Sequence, residues 1–347
     1  MKVLISGTAA AAGWPASDCG CASCARVAPG RRPTSVLLGD SVRLPPTGPL
    51  PPGYRASPGP DGLTVTTPGG RRVLYAPASP PYEEREPAGP GAALDLVLLD
   101  VLDRPERLGD LRRRGLVGER THVLAVDLDH RVPTEAELAR RADLWGVRTV
   151  PDGTVLDIGE PPPPPASPPR RTLLLGGTRS GKSVEAELRL AAEPEVRYVA
   201  TGPSGDGDPE WLRRVRAHRD RRPAHWETTE TTDLAGLLRS AGTPLLIDGL
   251  GTWVASVFDE CDAWSGGDDL DAVPARCDEL VAAWRQTRAR VVAVSDEVGL
   301  GVVPATASGR MFRDVLGRLN QRLAAESEDV TLVVAGRLLP LRVGVPW

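Results

Sequence analysis

The chain has 347 residues, of which 41% are hydrophobic and 25% are charged, and its formal net charge is −4. This length and composition predict one large or two smaller folded domains, and the mild acidic balance argues against a general nucleic-acid binder. No apolar run reaches the roughly 18 residues that a membrane-spanning helix needs. The five cysteines, an odd number, form no disulfide framework, so a cytoplasmic location is expected.

The N-terminal segment, about 1–159, is predicted to form a β-rich α/β or α+β domain. Its first residues, MKVLISGTAAAAGWPA, are interpreted as a strand and a loop rather than a secretory leader, because only Val3, Leu4 and Ile5 are strongly apolar. The predicted elements are, in chain order, a strand over 2–6, a hairpin over 63–77, a strand over 94–102, a helix over 104–115, a strand over 121–130, a helix over 134–146 and a hairpin over 149–159.

A proline run separates this segment from the rest of the chain. Residues 160–170 read EPPPPPASPPR, which favours an extended polyproline spacer because proline is excluded from helix interiors and central strands. We therefore predict two domains, over 1–159 and 171–347, joined by a linker over 160–170.

After the linker, short apolar strands alternate with helices. The predicted elements are a strand over 171–177, a helix over 182–193, a strand over 196–201, a helix over 208–222, a strand over 243–250, a helix over 278–289, a strand over 290–298, a helix over 311–328 and a strand over 329–336. This alternation predicts an α/β domain with a mostly parallel sheet that helices cover on both faces.

The stretch GGTRSGKS carries the complete phosphate-loop pattern between a predicted strand and a predicted helix. Its glycines let backbone N–H groups surround a phosphate at a helix N-terminus, which favours negative charge. Lys182 suits the terminal phosphates as a compact cation, and it is conspicuous because all but two of the 42 basic residues are arginines. The predicted phosphate-binding residues are Gly176, Gly177, Thr178, Arg179, Ser180, Gly181, Lys182 and Ser183.

A magnesium site is predicted beside this loop. The hydroxyl of Ser183 is the usual metal ligand of the motif. Asp248 ends the apolar run PLLID, which is the usual place for the second metal-site acid.

Two of the four histidines lie in the segment RRVRAHRDRRPAHW, over 213–226. Positive neighbours disfavour protonation of an imidazole, and an arginine cluster binds phosphate. His218 is therefore a candidate nucleophile toward a polyphosphate, and Lys182 is a candidate to neutralise the phosphate charge. The letters HRD do not indicate a protein-kinase catalytic loop, because His225 stands where that loop needs asparagine.

Six motifs over about 171–343 resemble, in order, the bifunctional adenosylcobinamide kinase / adenosylcobinamide-phosphate guanylyltransferase family of cobalamin biosynthesis. They are GGTRSGKS, YVATG, HRDRRPAHWETTE, LLIDGL, SDEVGLGVVP and FRDVLGRLNQRLA. The resemblance implies phosphorylation of adenosylcobinamide by GTP or ATP. It then implies GMP transfer from GTP through a guanylyl-histidine, giving adenosyl-GDP-cobinamide and diphosphate. It also implies a homo-oligomer that binds cobinamide between subunits.

The same resemblance assigns residues. His218 is implied to become guanylylated. The implied nucleotide contacts outside the phosphate loop are Ala200, Thr201, Gly202, Arg219, Asp220, Arg221, Arg222, Glu230 and Asp248. Two positions depart from the family pattern, since Asp296 stands where asparagine is usual and Gly249 where cysteine is frequent. Both departures bear on local positioning rather than on the reaction class.

The N-terminal segment resembles a truncated metallo-β-lactamase fold of the phosphodiesterase type. The resemblance rests on SGTAAAAGWPASDCGCASC and on LVLLDV and AVDLDH, and it implies metal-ligand positions at Asp100 and His130. The His-x-His-x-Asp-His signature is absent, and His122 is the only other histidine over 1–159. A dinuclear site needs more ligands than these, so we expect a catalytically silent domain.

Three of the five cysteines lie close together in CGCASC. Their spacing makes Cys19, Cys21 and Cys24 candidate ligands of a structural zinc ion, although the sequence offers no evident fourth ligand. The alternative is three reduced cysteines in a turn.

Two other functions stay open on the sequence alone. A regulatory P-loop NTPase that only hydrolyses nucleotide would need no nucleophilic histidine. A metal-dependent phosphohydrolase would act through the N-terminal segment, and metal bound to residues 1–159 would support it.

Overall fold

The chain is described by a computed structural model over residues 1–77, 93–202, 213, 216, 222–265 and 271–342. Its backbone divides into two compact units. The first unit comprises Met1–Ser167 with Ala191–Pro194, and the second comprises Pro168–Leu190 with Glu195–Trp347. Over the described ranges, no helix is both long enough and apolar enough to cross a bilayer.

The first unit is rich in strands. Its elements are β1 Lys2–Gly7, β2 Ser35–Leu38, β3 Val42–Leu44, β4 Arg55–Gly59, β5 Gly62–Thr66, β6 Arg72–Ala76, β7 Leu96–Leu99, α1 Glu106–Arg113, β8 His122–Ala125, α2 Glu135–Trp145 and β9 Thr154–Asp157. Four strands form an antiparallel sheet in the order β3-β2-β1-β9, and five form a mixed sheet in the order β4-β5-β6-β7-β8.

The two sheets of the first unit share one hydrophobic core. Ile5 and Val36 from the four-stranded sheet belong to the same buried cluster as Val73 and Leu98 from the five-stranded sheet. Burial of apolar faces against each other is the main favourable term in such a two-layer arrangement. The first unit is therefore a two-sheet sandwich that also contains the helices α1 and α2.

One predicted hairpin of the first unit is confirmed and the other is wrong. β5 and β6 pair antiparallel across the predicted turn. The turn at Gly153, with φ +91°, also forms, but β9 after it pairs with β1 instead of folding back on the residues before it. Arg148, before the turn, bridges to Leu124 of β8. The turn thus carries the chain from one sheet to the other, a choice that depends on distant strands.

The second unit alternates strands and helices as predicted. Its elements are β10 Arg171–Gly176, α3 Lys182–Leu190, β11 Arg197–Ala200, β12 Glu227–Glu230, α4 Leu234–Ser240, β13 Leu245–Asp248, α5 Leu250–Glu260, a 3₁₀ turn Ala263–Ser265, α6 Ala272–Gln286, β14 Val291–Asp296, α7 Ala307–Ala325, β15 Asp329–Val334 and β16 Arg337–Pro340. The helix predicted over 208–222 falls almost wholly outside the described residues.

A seven-stranded sheet organises the second unit, in the order β12-β11-β13-β14-β10-β15-β16. Its first six strands are parallel, and β16 pairs antiparallel with β15 at the edge. Successive residues of β10 face opposite cores: Leu173 packs in the cluster with Trp253 and Leu319, and Leu174 packs in the cluster with Ala186. The predicted parallel sheet with helices on both faces is therefore confirmed.

The sequence did not predict α5, whose first residue was assigned to the preceding strand. Gly249 and Gly251 flank its start, and glycine lowers local helix propensity by roughly 1 kcal/mol relative to alanine. The helix forms because Trp253 and Val257 are fully buried in the core of the second unit. Tertiary packing thus overrides the local preference.

Candidate active site

The phosphate-loop motif forms a short loop between β10 and α3. Gly177, Thr178 and Arg179 are exposed residues. Gly176 is required by close packing, because a Cβ there would lie 2.6 Å from both Ser180 Oγ and the Val333 carbonyl oxygen. Gly181 is required by its backbone, which has φ +100°. The sequence pattern therefore produces an open loop at the positive end of a helix.

Lys182 lies at the mouth of this loop and is held by acceptors of the second unit. Its Nζ is 2.9 Å from Asp296 Oδ1 and donates to the Gly177 carbonyl oxygen at 3.1 Å. The Lys182 side chain is 12% exposed and that of Asp296 is 42% exposed. The ammonium group is thus positioned beside the loop, with one of its partners open to solvent.

Asp248 lies at the carboxyl end of β13, and its carboxylate is hydrogen-bonded to residues of both α3 and β11. Its Oδ1 accepts from Ser183 Oγ at 3.2 Å, and its Oδ2 accepts from the Tyr198 hydroxyl at 2.9 Å. Burial, and then the negative charge of Asp248, raise the pKa of Tyr198, so the phenol stays protonated and donates. This bond fixes the orientation of the carboxylate.

The Ser183–Asp248 pair suits a magnesium ion. Neighbouring oxygen ligands of an octahedral magnesium ion, each about 2.1 Å from the metal, are about 3.0 Å apart. The observed separation of 3.2 Å between the hydroxyl and carboxylate oxygens agrees with that value. Both predicted metal ligands therefore fit the ion in residue type and in spacing.

The predicted nucleotide contacts Ala200 and Glu230 lie level with Asp248. Ala200 of β11 is in register with Glu230 of β12 on one side and with Asp248 of β13 on the other. Because the three strands are parallel, their carboxyl ends meet at one edge of the sheet, where ligands bind in open α/β folds.

Thr201 and Gly202 follow β11 at the same edge. The Thr201 side chain is only 1% exposed, and its hydroxyl donates to the Gly249 carbonyl oxygen at 2.7 Å. Ser256 Oγ donates to the Thr201 carbonyl oxygen at 3.1 Å. The Thr201 side chain is therefore hydrogen-bonded to the residue before the start of α5.

Within the histidine segment, the structure describes Arg213, Arg216 and residues 222–226. The Arg222 guanidinium carbon is 3.2 Å from the centroid of the Tyr198 ring, a cation–π contact. Its Nη1 also donates to Thr228 Oγ1 at 3.3 Å. One member of the arginine cluster thus lies beside the Tyr198–Asp248 pair. The other predicted residues of the segment, namely His218, Arg219, Asp220 and Arg221, lie outside the described residues.

The sequence analysis predicted no site role for three residues that the structure places around the loop: Tyr198, Asp296 and Asn320. Asn320 Nδ2 donates to the Asp296 carbonyl oxygen at 3.1 Å, and Asn320 Oδ1 accepts from Ser295 Oγ at 2.6 Å, so α7 fixes the end of β14. Asp296 could have been found, because it ends an apolar strand just as Asp248 does. Tyr198 and Asn320 carry no such local signal.

The two residues that the metallo-β-lactamase resemblance groups together have different partners in the first unit. Asp100 Oδ2 accepts from Arg131 Nη1 at 2.9 Å, whereas His130 Nδ1 lies 3.8 Å from Cys24 Sγ. His122 is buried in β8, and its Nε2 donates to the Glu160 carbonyl oxygen at 2.8 Å. Asp100 is therefore paired with an arginine, and His130 lies against the cysteine segment.

Comparison with known proteins identifies the second unit. The family model for cobinamide kinase / cobinamide phosphate guanyltransferase matches residues 172–341. The bifunctional adenosylcobalamin biosynthesis protein CobP of Pseudomonas aeruginosa is 43% identical over 174 residues, which span 95% of that protein and 48% of this chain. The chain belongs to this family.

Two further members agree with this assignment. The bifunctional adenosylcobalamin biosynthesis proteins CobU of Salmonella typhimurium and of Escherichia coli are 38% and 39% identical to this chain. Each match spans 93% of the relative and 46% of this chain. Each match therefore takes up nearly the whole relative but only about half of this chain. The residues matched by the family model, 172–341, include the phosphate loop.

Proposed function

We propose that this chain is a bifunctional cobinamide kinase and guanylyltransferase. It phosphorylates adenosylcobinamide, then transfers GMP from GTP to adenosylcobinamide phosphate, giving adenosyl-GDP-cobinamide and diphosphate. The observation that carries the proposal is the 43% identity over 95% of a bifunctional relative. The open phosphate loop beside the Ser183–Asp248 pair supports it independently.

In the proposed kinase step, residues 177–181 and the N-terminus of α3 hold the phosphates of GTP or ATP through backbone N–H groups. Lys182 binds the terminal phosphate oxygens. To do so, its ammonium group gives up its contact with Asp296. Ser183 and Asp248 would hold Mg²⁺, which neutralises charge on the phosphate oxygens. Tyr198 keeps the Asp248 carboxylate oriented toward Ser183.

In the proposed transfer step, a ring nitrogen of His218 attacks the α-phosphorus of GTP. A nitrogen–phosphorus bond forms, and the bond to the diphosphate leaving group breaks. The phosphate of adenosylcobinamide phosphate then displaces the histidine, which is released unchanged. Arg219, Arg221 and Arg222 neutralise phosphate charge in this scheme, and Asp220 and Glu230 contact the nucleotide.

GTP labelled on the α-phosphate tests the transfer step. The purified chain, incubated with labelled GTP and Mg²⁺ and then denatured, should retain an acid-labile, base-stable label, as expected for a phosphoramidate. His218→Ala should abolish the label, and His225→Ala, in the same segment, should keep it. An unlabelled wild type would leave a nucleotide-hydrolysing P-loop protein as the better description. Label surviving in His218→Ala would move the nucleophile elsewhere.

We also propose that residues 171–347 form the catalytic domain, 160–170 a linker, and 1–159 a degenerate metallo-β-lactamase-like domain. The two-sheet sandwich of the first unit supports this assignment. So does Arg131, whose guanidinium pairs with Asp100 at 2.9 Å and with Asp129 at 2.8 Å. The positive charge of Arg131 neutralises these carboxylates, whose negative charge a hydrolase metal ion would need. We further propose that the protein is cytoplasmic and forms a homo-oligomer.

A further inference from the structure

Four side chains with soft or nitrogen donors converge in the first unit. The sulfur atoms of Cys19, Cys21 and Cys24 and one ring nitrogen of His130 all lie within 4.8 Å of one another. We propose that these four residues bind one zinc ion, with His130 as the ligand that the cysteine spacing alone does not supply. The site takes no part in the proposed transfer reaction, so either proposal can be wrong while the other holds.

The distances suit a tetrahedral ion. Zn–S bonds of about 2.3 Å and Zn–N bonds of about 2.0 Å place neighbouring ligand atoms about 3.5–3.8 Å apart. Cys24 Sγ and His130 Nδ1 are already 3.8 Å apart. The largest separation, 4.8 Å, exceeds that edge by about 1 Å, which rotation of a cysteine side chain closes.

The cysteine segment has its own hydrogen bonds. The Cys24 backbone N–H donates to Cys21 Sγ at 3.4 Å, which fixes the direction of that sulfur. Ala25 N donates to the Cys21 carbonyl oxygen at 3.1 Å, and Arg26 N donates to the Ser23 carbonyl oxygen at 3.0 Å. These turns keep the three thiols close together.

Separate contacts hold His130 beside the cysteines. Ser23, between two of the cysteines, donates through its hydroxyl to the Val132 carbonyl oxygen at 2.6 Å, and the same hydroxyl accepts from Trp14 Nε1 at 3.2 Å. Upstream, Ala10 N donates to the Leu128 carbonyl oxygen at 3.0 Å. Ala10, before the cysteines, and Ser23, between two of them, are thus bonded to residues on the two sides of His130, which places the four ligands close together.

The donor set selects zinc and a structural role. Three thiolates and one imidazole are a standard set for tetrahedral zinc. Four protein ligands leave no open position for a substrate or water, so zinc bound here would not support the phosphohydrolase alternative. The three thiols release their protons as the ion binds. Cys19 and Cys21 are half-buried and His130 is exposed, so an ion and a chelator can both reach the site. The ion would join the segment after β1 to the segment after β8.

Metal analysis of the full chain tests the stoichiometry. The protein is made with a purification tag that contains no histidine, kept reduced, and dialysed against metal-free buffer. Elemental analysis should find one zinc ion per chain in the wild type and in Cys261→Ser, a cysteine of the second unit that serves as the matched control. Cys24→Ser should lose the ion. A wild type without stoichiometric zinc, or a Cys24→Ser variant that keeps it, overturns the proposal.

Two substitutions test His130 itself. His130→Ala should lower zinc occupancy strongly, and His130→Cys should restore it, because a fourth thiolate completes the same tetrahedron. Unchanged occupancy in His130→Ala would exclude this residue as the fourth ligand and overturn the assignment. If His130→Ala fails to fold, a His130→Cys variant that folds without zinc would overturn the assignment equally.

Cobalt exchange supplies a spectroscopic test on the wild type. The zinc-free chain loaded with Co²⁺ should show the intense visible bands of a tetrahedral cobalt–thiolate centre, and added zinc should abolish them. Octahedral spectra, or two of the three thiols recovered as a disulfide under reducing conditions, would contradict the proposed site.

Discussion

At the residue scale, Lys182 and Asp296 form an ion pair beside the phosphate loop. The ammonium and carboxylate groups are 2.9 Å apart, and the carboxylate is partly exposed. A terminal phosphate carries more charge than one carboxylate, so it can displace Asp296 as the lysine's partner. The carboxylate then stays close to the phosphates, where its charge opposes binding.

Asp296→Asn is therefore expected to tighten nucleotide binding. The substitution removes a partly exposed ion pair worth about 1 kcal/mol, which corresponds to about fivefold in affinity. Titration calorimetry with a non-hydrolysable GTP analogue and Mg²⁺ measures the change. Asp314→Asn, at an exposed position on α7, should leave affinity unchanged. Weaker binding by Asp296→Asn would mean that the carboxylate contributes to the bound state.

At the scale of single elements, hydrogen bonds at the ends of helices decide where they begin. α2 starts after Thr134, whose hydroxyl accepts from Glu137 N at 3.1 Å, and it ends at Trp145, where Gly146 with φ +61° caps it. Glu137 also accepts from Arg140 and Arg141 on the next turn. Although burial by itself raises the pKa of Glu137, these two arginines outweigh it and hold the pKa below the ordinary value of 4.5.

Glu137→Gln is expected to destabilise the first unit in a pH-dependent way. Because folding lowers the pKa of Glu137, its contribution is present above pH 4.5 and is lost as the pH falls through the lower folded value. The free energy of unfolding should drop by about 1 kcal/mol at neutral pH. Urea unfolding at several pH values measures it, with the exposed Glu119→Gln as control. A loss that is equally large at acid pH would rule out an ionic origin.

At the scale of the whole molecule, the proposed reaction depends on the second unit. The described contacts of Lys182, Ser183 and Asp248 are all made within that unit. The first unit has its own core and its own candidate zinc site.

Cutting the chain between Ser167 and Pro168, where most of the first unit ends, should therefore leave guanylylation intact. A recognition site for a sequence-specific protease, inserted between Ser167 and Pro168, allows the purified protein to be cleaved after folding. The label from α-labelled GTP should be the same before and after cleavage, and it should reside on the C-terminal fragment. The uncut insertion variant is the control. Loss of label on cutting would show that the first unit contributes to the reaction.

The sequence by itself determined the phosphate loop, the parallel sheet and the Ser183–Asp248 pairing. These follow from local rules: a glycine pattern between a strand and a helix, short apolar runs, and an acid at a strand end. Parallel strands carry such ends to one edge, so the residue types alone predicted that Asp248 would lie near the loop. The nucleotide roles of Glu230 and His218 stay predictions.

Only the tertiary structure decided which distant segments meet. β9 joined β1 rather than its predicted hairpin partner, Asp296 came to pair with Lys182, and His130 came to lie beside three cysteines more than a hundred residues earlier. Each outcome depends on long-range burial and hydrogen bonding, which no local pattern encodes. The same physics buried Trp253 and formed α5 despite the glycines at its start.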